Sequence, residues 1–194
     1  RRLQELRKYP GESEKENSMQ KEKSIQKEKF SSVLLFVVVV GVTMVLGFLS
    51  GMLSGASAGY DGYARPPLTP PDTTFSVVWP VLYFLTGISF YLMLTTIVEQ
   101  KNLAAKRASI IIWAVQLALN LMWPFLFFAL DLKTVAFIVS TVMTVCVLAV
   151  VVMDFFYCKP AAWLNIPYLI WLAFATYLGM YIAIYNYRAT TVTW

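Results

Sequence analysis

From Val33 to Leu49 the chain carries no charged side chain. With its flanking residues this run meets the roughly 20 apolar residues that a helix needs to cross a bilayer. Four more runs of this kind follow it. In hydrocarbon every backbone N–H and C=O must pair inside the segment, so each run is expected to be a helix. The sequence therefore predicts an all-α membrane protein, a five-transmembrane-helix bundle with spans at 31–54, 75–98, 109–130, 132–156 and 161–187. A charged, disordered N-terminal extension (1–30) precedes the five-helix membrane domain (31–187), and a short tail (188–194) follows it. Composition agrees: 58% of residues are hydrophobic and 14% charged, where soluble domains carry about 25% charged.

The extension is a different material. It holds Arg1, Arg2, Arg7, Lys8 and five further lysines, with Gln20-Lys-Glu-Lys-Ser24 imperfectly repeated at Gln26-Lys-Glu-Lys-Phe30. It has too little apolar surface to form a core, and reads as disordered or as a marginal charged helix. The net charge of +5 does not point to nucleic acid, because the basic residues sit at the ends of apolar runs. They point to orientation. The N-terminal side collects the tail, Lys101, Lys106, Arg107 and Lys159, against Arg65, Lys133 and Arg188 on the other side, so the N-terminus is expected in the cytosol or its equivalent. Histidine is absent. That removes His acid–base catalysis, His-ligated haem iron and most zinc sites, and no metal site is expected. Cys146 and Cys158 fall on one predicted helix, about 18 Å apart, too far to form a disulfide.

The connections carry signals of their own. Gly55 to Thr74 is a Gly- and Pro-rich loop containing Tyr60, Asp61 and Tyr63; at this length it suggests a lid. Thr73 or Thr74 is a plausible N-cap for the second span. Pro124 predicts a kink, and Asp131-Leu132-Lys133 a tight turn between antiparallel neighbours. Asp154 is expected near the interface, with Lys159 as its partner. Gly47 and Gly51 lie four apart, a spacing that admits a close helix or a flat ligand.

The third span is the most informative. Gln116, Asn120, Trp123 and Phe127 are spaced i, i+4, i+7 and i+11, so they share one helical face. Lipid cannot hydrogen-bond the two amides, which turns that face toward other helices or a cavity. Whether the amides meet a ligand or only hold helices together stays open at this level.

Three motifs now resemble a known family. Val78-Trp79-Pro80-Val81-Leu82-Tyr83 follows Pro70-Pro71. Gln116-Leu117-Ala118-Leu119-Asn120 precedes Trp123-Pro124 and Phe127-Phe128. Pro167-Tyr168-Leu169 precedes Trp171-Leu172-Ala173-Phe174. These resemble the TspO/MBR family, the tryptophan-rich sensory and translocator proteins (peripheral benzodiazepine receptors), from about Phe36 to Asn186. The resemblance implies a five-helix bundle, often a homodimer, embedded in membrane lipid. It implies a pocket opening toward the first loop that binds porphyrin or haem-type tetrapyrroles, sterols and benzodiazepine-type ligands. Phe75, Trp79, Asn120, Trp123, Trp171, Ala175 and Leu178 match positions that line or support it. No cofactor is required; porphyrin or haem is the ligand. An integral, multi-pass location is implied, in the mitochondrial outer membrane or the endoplasmic reticulum and secretory membranes of a eukaryote.

The chain also departs from the family pattern. The sterol-recognition segment has Met180 and Ile184 where Tyr and a basic residue are usual. Tryptophans usual in the first loop are replaced by Leu68 and Thr73, and one at the start of the fourth span by Val135. Physical chemistry suits a tetrapyrrole independently: aromatic faces stack on a flat apolar disc, small residues admit it, and a polar group orients its acidic edge. Trp171, Ala175 and Leu178 share one face of the fifth helix. The expected function is a membrane receptor or translocator for tetrapyrroles. The alternatives are a light-dependent porphyrin-degrading enzyme using Trp79 and Trp171, and a scaffold recruited through the charged tail.

Overall fold

The computed structural model describes residues 10–56 and 66–191. They fall into two compact units, one within Arg1–Val38 and one within Val39–Trp194. The division lies inside α1 (Pro10–Leu53). In the first unit the described part of the charged extension is helical. Lys, Glu and Gln are good helix formers, and a helix growing from an existing apolar one pays no nucleation penalty. Ser18 and Ser24 donate to the carbonyls of Lys15 and Lys21, each at 2.8 Å.

In the second unit α1 is followed by α2 (Asp72–Thr95), a 3₁₀ turn (Gln100–Asn102), α3 (Leu103–Pro124), a π turn (Phe125–Ala129), α4 (Lys133–Tyr157) and α5 (Lys159–Thr191). Among the described residues, five helices are long and apolar enough to cross a membrane and no strand occurs. The protein is an all-α, multi-pass membrane protein. Tyr60, Asp61, Tyr63 and Arg65 in the first loop, the Arg188 side chain and Trp194 lie outside the described residues.

Helix ends follow local chemistry. α2 starts at Asp72, directly after Pro71 at φ −54° and ψ 146°. Neither Thr73 nor Thr74 caps it: both lie inside the first turn, and no side chain supplies a cap bond. α3 begins earlier than its apolar run, at Leu103, and Lys106 in its first turn reaches back to α2. Its Nζ donates to the carbonyls of Leu94 at 3.1 Å and Thr96 at 2.7 Å, satisfying groups that the end of α2 leaves open.

Pro124 marks a change of helix type. It has no N–H for the preceding turn, and the chain widens into the π turn, with Leu130 N–H bonding to Phe125 O at 2.9 Å. Lys133 secures this turn. Its buried Nζ donates to the Phe127 carbonyl, pairs with Asp131 at 3.0 Å and lies 3.8 Å from the Phe127 ring centre.

Asp154 does not pair with Lys159. It is fully buried and accepts a hydrogen bond from Ser109 Oγ, while Lys159 is exposed. The helix breaks at Cys158 (φ −145°), and Lys159 opens a new helix. Both cysteines are free thiols.

Polar side chains stitch the core from within. Trp113 Nε1 donates to Thr86 Oγ1 at 2.9 Å, and Thr86 to Asn165 Oδ1 at 3.1 Å. Asn165 Nδ2 donates to Ser89 Oγ at 2.7 Å, and Ser89 to the Ala161 carbonyl at 3.0 Å. Together they tie α2, α3 and α5, and Phe90 stacks on Trp113 at 3.8 Å. Unsatisfied polar groups cannot fall back on water in hydrocarbon, so such ladders fix helix rotation.

Candidate ligand-binding site

A cavity of about 830 Å³ opens among α1, α2 and α3. Drug-sized ligands occupy pockets of roughly 300–1,000 Å³. Phe75 and Trp79 come from α2, Asn120 and Trp123 from α3, and Phe128 from the π turn. α1 supplies the opposite wall with Met44, Val45, Gly47, Phe48, Gly51 and Met52. Met143 of α4 closes the back.

Each aromatic wall is held from behind. Trp123 Nε1 donates to the Ala136 carbonyl at 2.9 Å, and its ring stacks on Phe127 at 4.9 Å. Trp79 lies 5.8 Å from Tyr83, centre to centre. Tyr83 in turn packs against Gly47: a Cβ there would come within 2.3 Å of the ring. Gly51, one helical turn on, has nothing within 4 Å of a built Cβ. One glycine thus admits a protein ring, and the other leaves open space in the cavity wall.

The amides of the third span form a ladder. Tyr83 Oη donates to Asn120 Oδ1; Asn120 Nδ2 donates to Tyr168 Oη at 2.8 Å; Tyr168 Oη donates to Gln116 Oε1 at 2.9 Å. All four side chains are buried. Asn120 also touches the cavity, whereas Gln116 does not line it. The ladder ties α2, α3 and α5 under the cavity floor.

The residues picked from the sequence take different places. Phe75, Trp79, Asn120 and Trp123 line the large cavity. Ala175 lines a small void behind it, together with Phe75, Trp79 and Trp123. Trp171 lines neither. It packs edge-on against Phe75 at 5.5 Å and near Phe174 at 5.7 Å, and its Nε1 is buried without a hydrogen-bond partner. Leu178 is buried in the bundle. Sequence reasoning quoted Tyr83 and Phe128 within motifs but did not assign them, or the α1 wall, to the site; the Gly47/Gly51 spacing was the one signal for α1. Of the departures from the family pattern, Thr73 lines the cavity, while Leu68, Val135, Met180 and Ile184 are exposed. Tyr177 Oη donates to the Pro67 carbonyl at 3.2 Å, fixing the end of the first loop to α5.

Fold and site define a class: a five-helix, multi-pass membrane protein with an aromatic cavity. Residues 37–185 match the model of the TspO/MBR family, and the chain belongs to that family. It is 35% identical to the translocator protein of Sus scrofa over 146 residues, covering 72% of this chain and 85% of the relative. It is 26% identical to the tryptophan-rich protein TspO of Chlorobaculum tepidum over 142 residues, covering 72% and 88%. It is 29% identical to protein CrtK of Rhodobacter capsulatus over 126 residues, covering 65% and 77%.

Proposed function

We propose that this protein is a membrane receptor or translocator that holds a porphyrin or haem-type tetrapyrrole in the α1–α2–α3 cavity. The observation that carries the reading is the pairing of Trp79 and Trp123 on two helices with the glycine-thinned α1 wall opposite. A flat apolar macrocycle needs aromatic faces, a small residue where it meets backbone, and room; this cavity offers all three. The polar lining is Asp72, Thr73, Ser76, Tyr83 and Asn120, with hydroxyls at the loop end to meet the ligand's acidic edge. Sterol capture at the end of α5 is the weaker reading, because Met180 and Ile184 offer only exposed apolar groups there.

The test is a titration of vesicle-embedded protein with protoporphyrin, followed by tryptophan quenching in the dark and under illumination. Saturable quenching in the micromolar range, without new absorbing products in light, supports a binding protein. Light-dependent loss of porphyrin would move the protein to the enzyme class. Linear, non-saturating quenching would overturn both.

A further inference from the structure

The cavity walls are not equally exposed. Lining side chains that stand exposed come from α1 and α2 alone: Val45, Phe48 and Met52 at 56%, 67% and 58%, and Thr73, Ser76 and Pro80. The α3 side contributes no exposed lining residue. The asymmetry points to a slot between α1 and α2.

The slot has a measurable depth and a closed lower end. From Asp72 to Tyr83 it runs about 16 Å along α2 at helical rise. It ends where the Tyr83 ring meets Gly47, and deeper still a Cβ on Gly87 would lie 3.2 Å from Val40 Cα. Its deeper lips, Val45, Phe48 and Pro80, lie inside two membrane-crossing helices. They carry no charge. Pro80 removes the N–H that would bond the Ser76 carbonyl. At the other end Thr73 and Ser76 put hydroxyls at the level of the first loop. An apolar lip inside a span faces hydrocarbon, and a hydroxyl-bearing end faces the headgroups.

We propose that the cavity is filled sideways from the bilayer through this slot, by an amphiphile anchored at the membrane surface. This rests on the reading that the cavity binds a ligand. A flat apolar body slides between Phe48 and Pro80, while its acidic edge stays by Thr73 and Ser76. The charged groups never cross hydrocarbon, and the apolar body never crosses water. The ligand class is thereby narrowed to flat, membrane-partitioned molecules with polar groups on one edge.

The test is stopped-flow loading of vesicle-embedded protein with protoporphyrin dissolved in the same vesicles, for the native chain, Phe48→Ala and Phe48→Trp. Phe48 borders the passage and also lines the cavity, so the association rate is the readout of the route: Ala should raise it and Trp lower it by about tenfold, whatever either change does to the dissociation constant. A Trp163→Phe background, which removes an exposed tryptophan, adds a second readout. Lipids brominated on their acyl chains should quench the remaining fluorescence of the ligand-free protein, and the ligand, with its own quenching measured in unbrominated lipid and subtracted, should reduce that additional quenching. Association rates untouched by both Phe48 substitutions would overturn the route, as would ligand protection against aqueous iodide but not against brominated lipid. Loss of saturable binding in the native chain would instead sink the binding reading, and the route with it.

Discussion

Asn120 Nδ2 donates to Tyr168 Oη at 2.8 Å, across the interface of α3 and α5, while its Oδ1 accepts from Tyr83 on α2. One amide therefore joins three helices immediately beneath the cavity. Asn120→Leu keeps the size but leaves two buried phenols without that partner. An unsatisfied buried polar group costs about 1–3 kcal/mol. A fall in the thermal unfolding midpoint, of about 2–4 °C per kcal/mol for a chain of this size, is the expected result. An unchanged midpoint would show that the ladder holds nothing.

Gly47→Ala should also destabilise, by about 1–3 kcal/mol, because its methyl group must displace a packed ring. That ring belongs to Tyr83, which is buried and bonded to Asn120. Denaturation in detergent checks this, and porphyrin affinity should fall along with stability because Tyr83 lines the cavity.

Trp79 and Trp171 should part company. Trp79 lines the cavity; Trp171 stands behind Phe75. Trp79→Phe should weaken protoporphyrin binding by roughly 1 kcal/mol of lost stacking, about fivefold. Trp171→Phe should change it less, and by removing a buried donor that has no partner it should not reduce stability on that account. Absorbance titrations of the two variants make the comparison; a larger loss at Trp171 would contradict the geometry.

Lys133 and Asp131 form a pair in which one partner matters more. Lys133 is buried and holds the Phe127 carbonyl, whereas the Asp131 side chain is 73% exposed. Lys133→Met should cost about 1–3 kcal/mol by removing the buried hydrogen bond to that carbonyl. Asp131→Asn should cost at most about 1 kcal/mol, since exposed ion pairs contribute little and Asn tolerates the left-handed backbone that Asp131 adopts at φ 55°. Thermal unfolding of both variants reads the difference.

The spans were legible because hydrocarbon tolerates no charge and no unpaired backbone, so charge-free length alone marks a helix. That the helix is disturbed at Pro124 was legible for the same kind of local reason, though the π turn that follows it was not. The Asp154 environment was not legible: Lys159 is near in sequence, but the helix breaks at Cys158 between them, and Ser109 arrives from another helix. The α1 wall was hidden by the solvent itself. In a membrane, Met44, Val45 and Phe48 have the same apolar character whether they face lipid or a cavity, so no polarity contrast separates the two. Trp171, Ala175 and Leu178 share a face, yet facing depends on what the neighbouring helices bring. Phe75 stands between Trp171 and the cavity, and no period within α5 encodes that.

Gly51 offers the most direct test of the central claim. It lines the cavity, and a Cβ there meets nothing within 4 Å. Gly51→Leu therefore places a side chain in the ligand's space from a Cβ position that meets no packed neighbour, and a glycine in the last turn of α1 can be replaced without cost to the helix. Protoporphyrin titration of vesicle-embedded native and Gly51→Leu protein, read by absorbance, should show saturable binding in the first. In the second, affinity should be at least about tenfold lower with an undiminished unfolding midpoint, as expected for a filled site. Equal affinity in the two proteins would place the ligand somewhere other than this cavity.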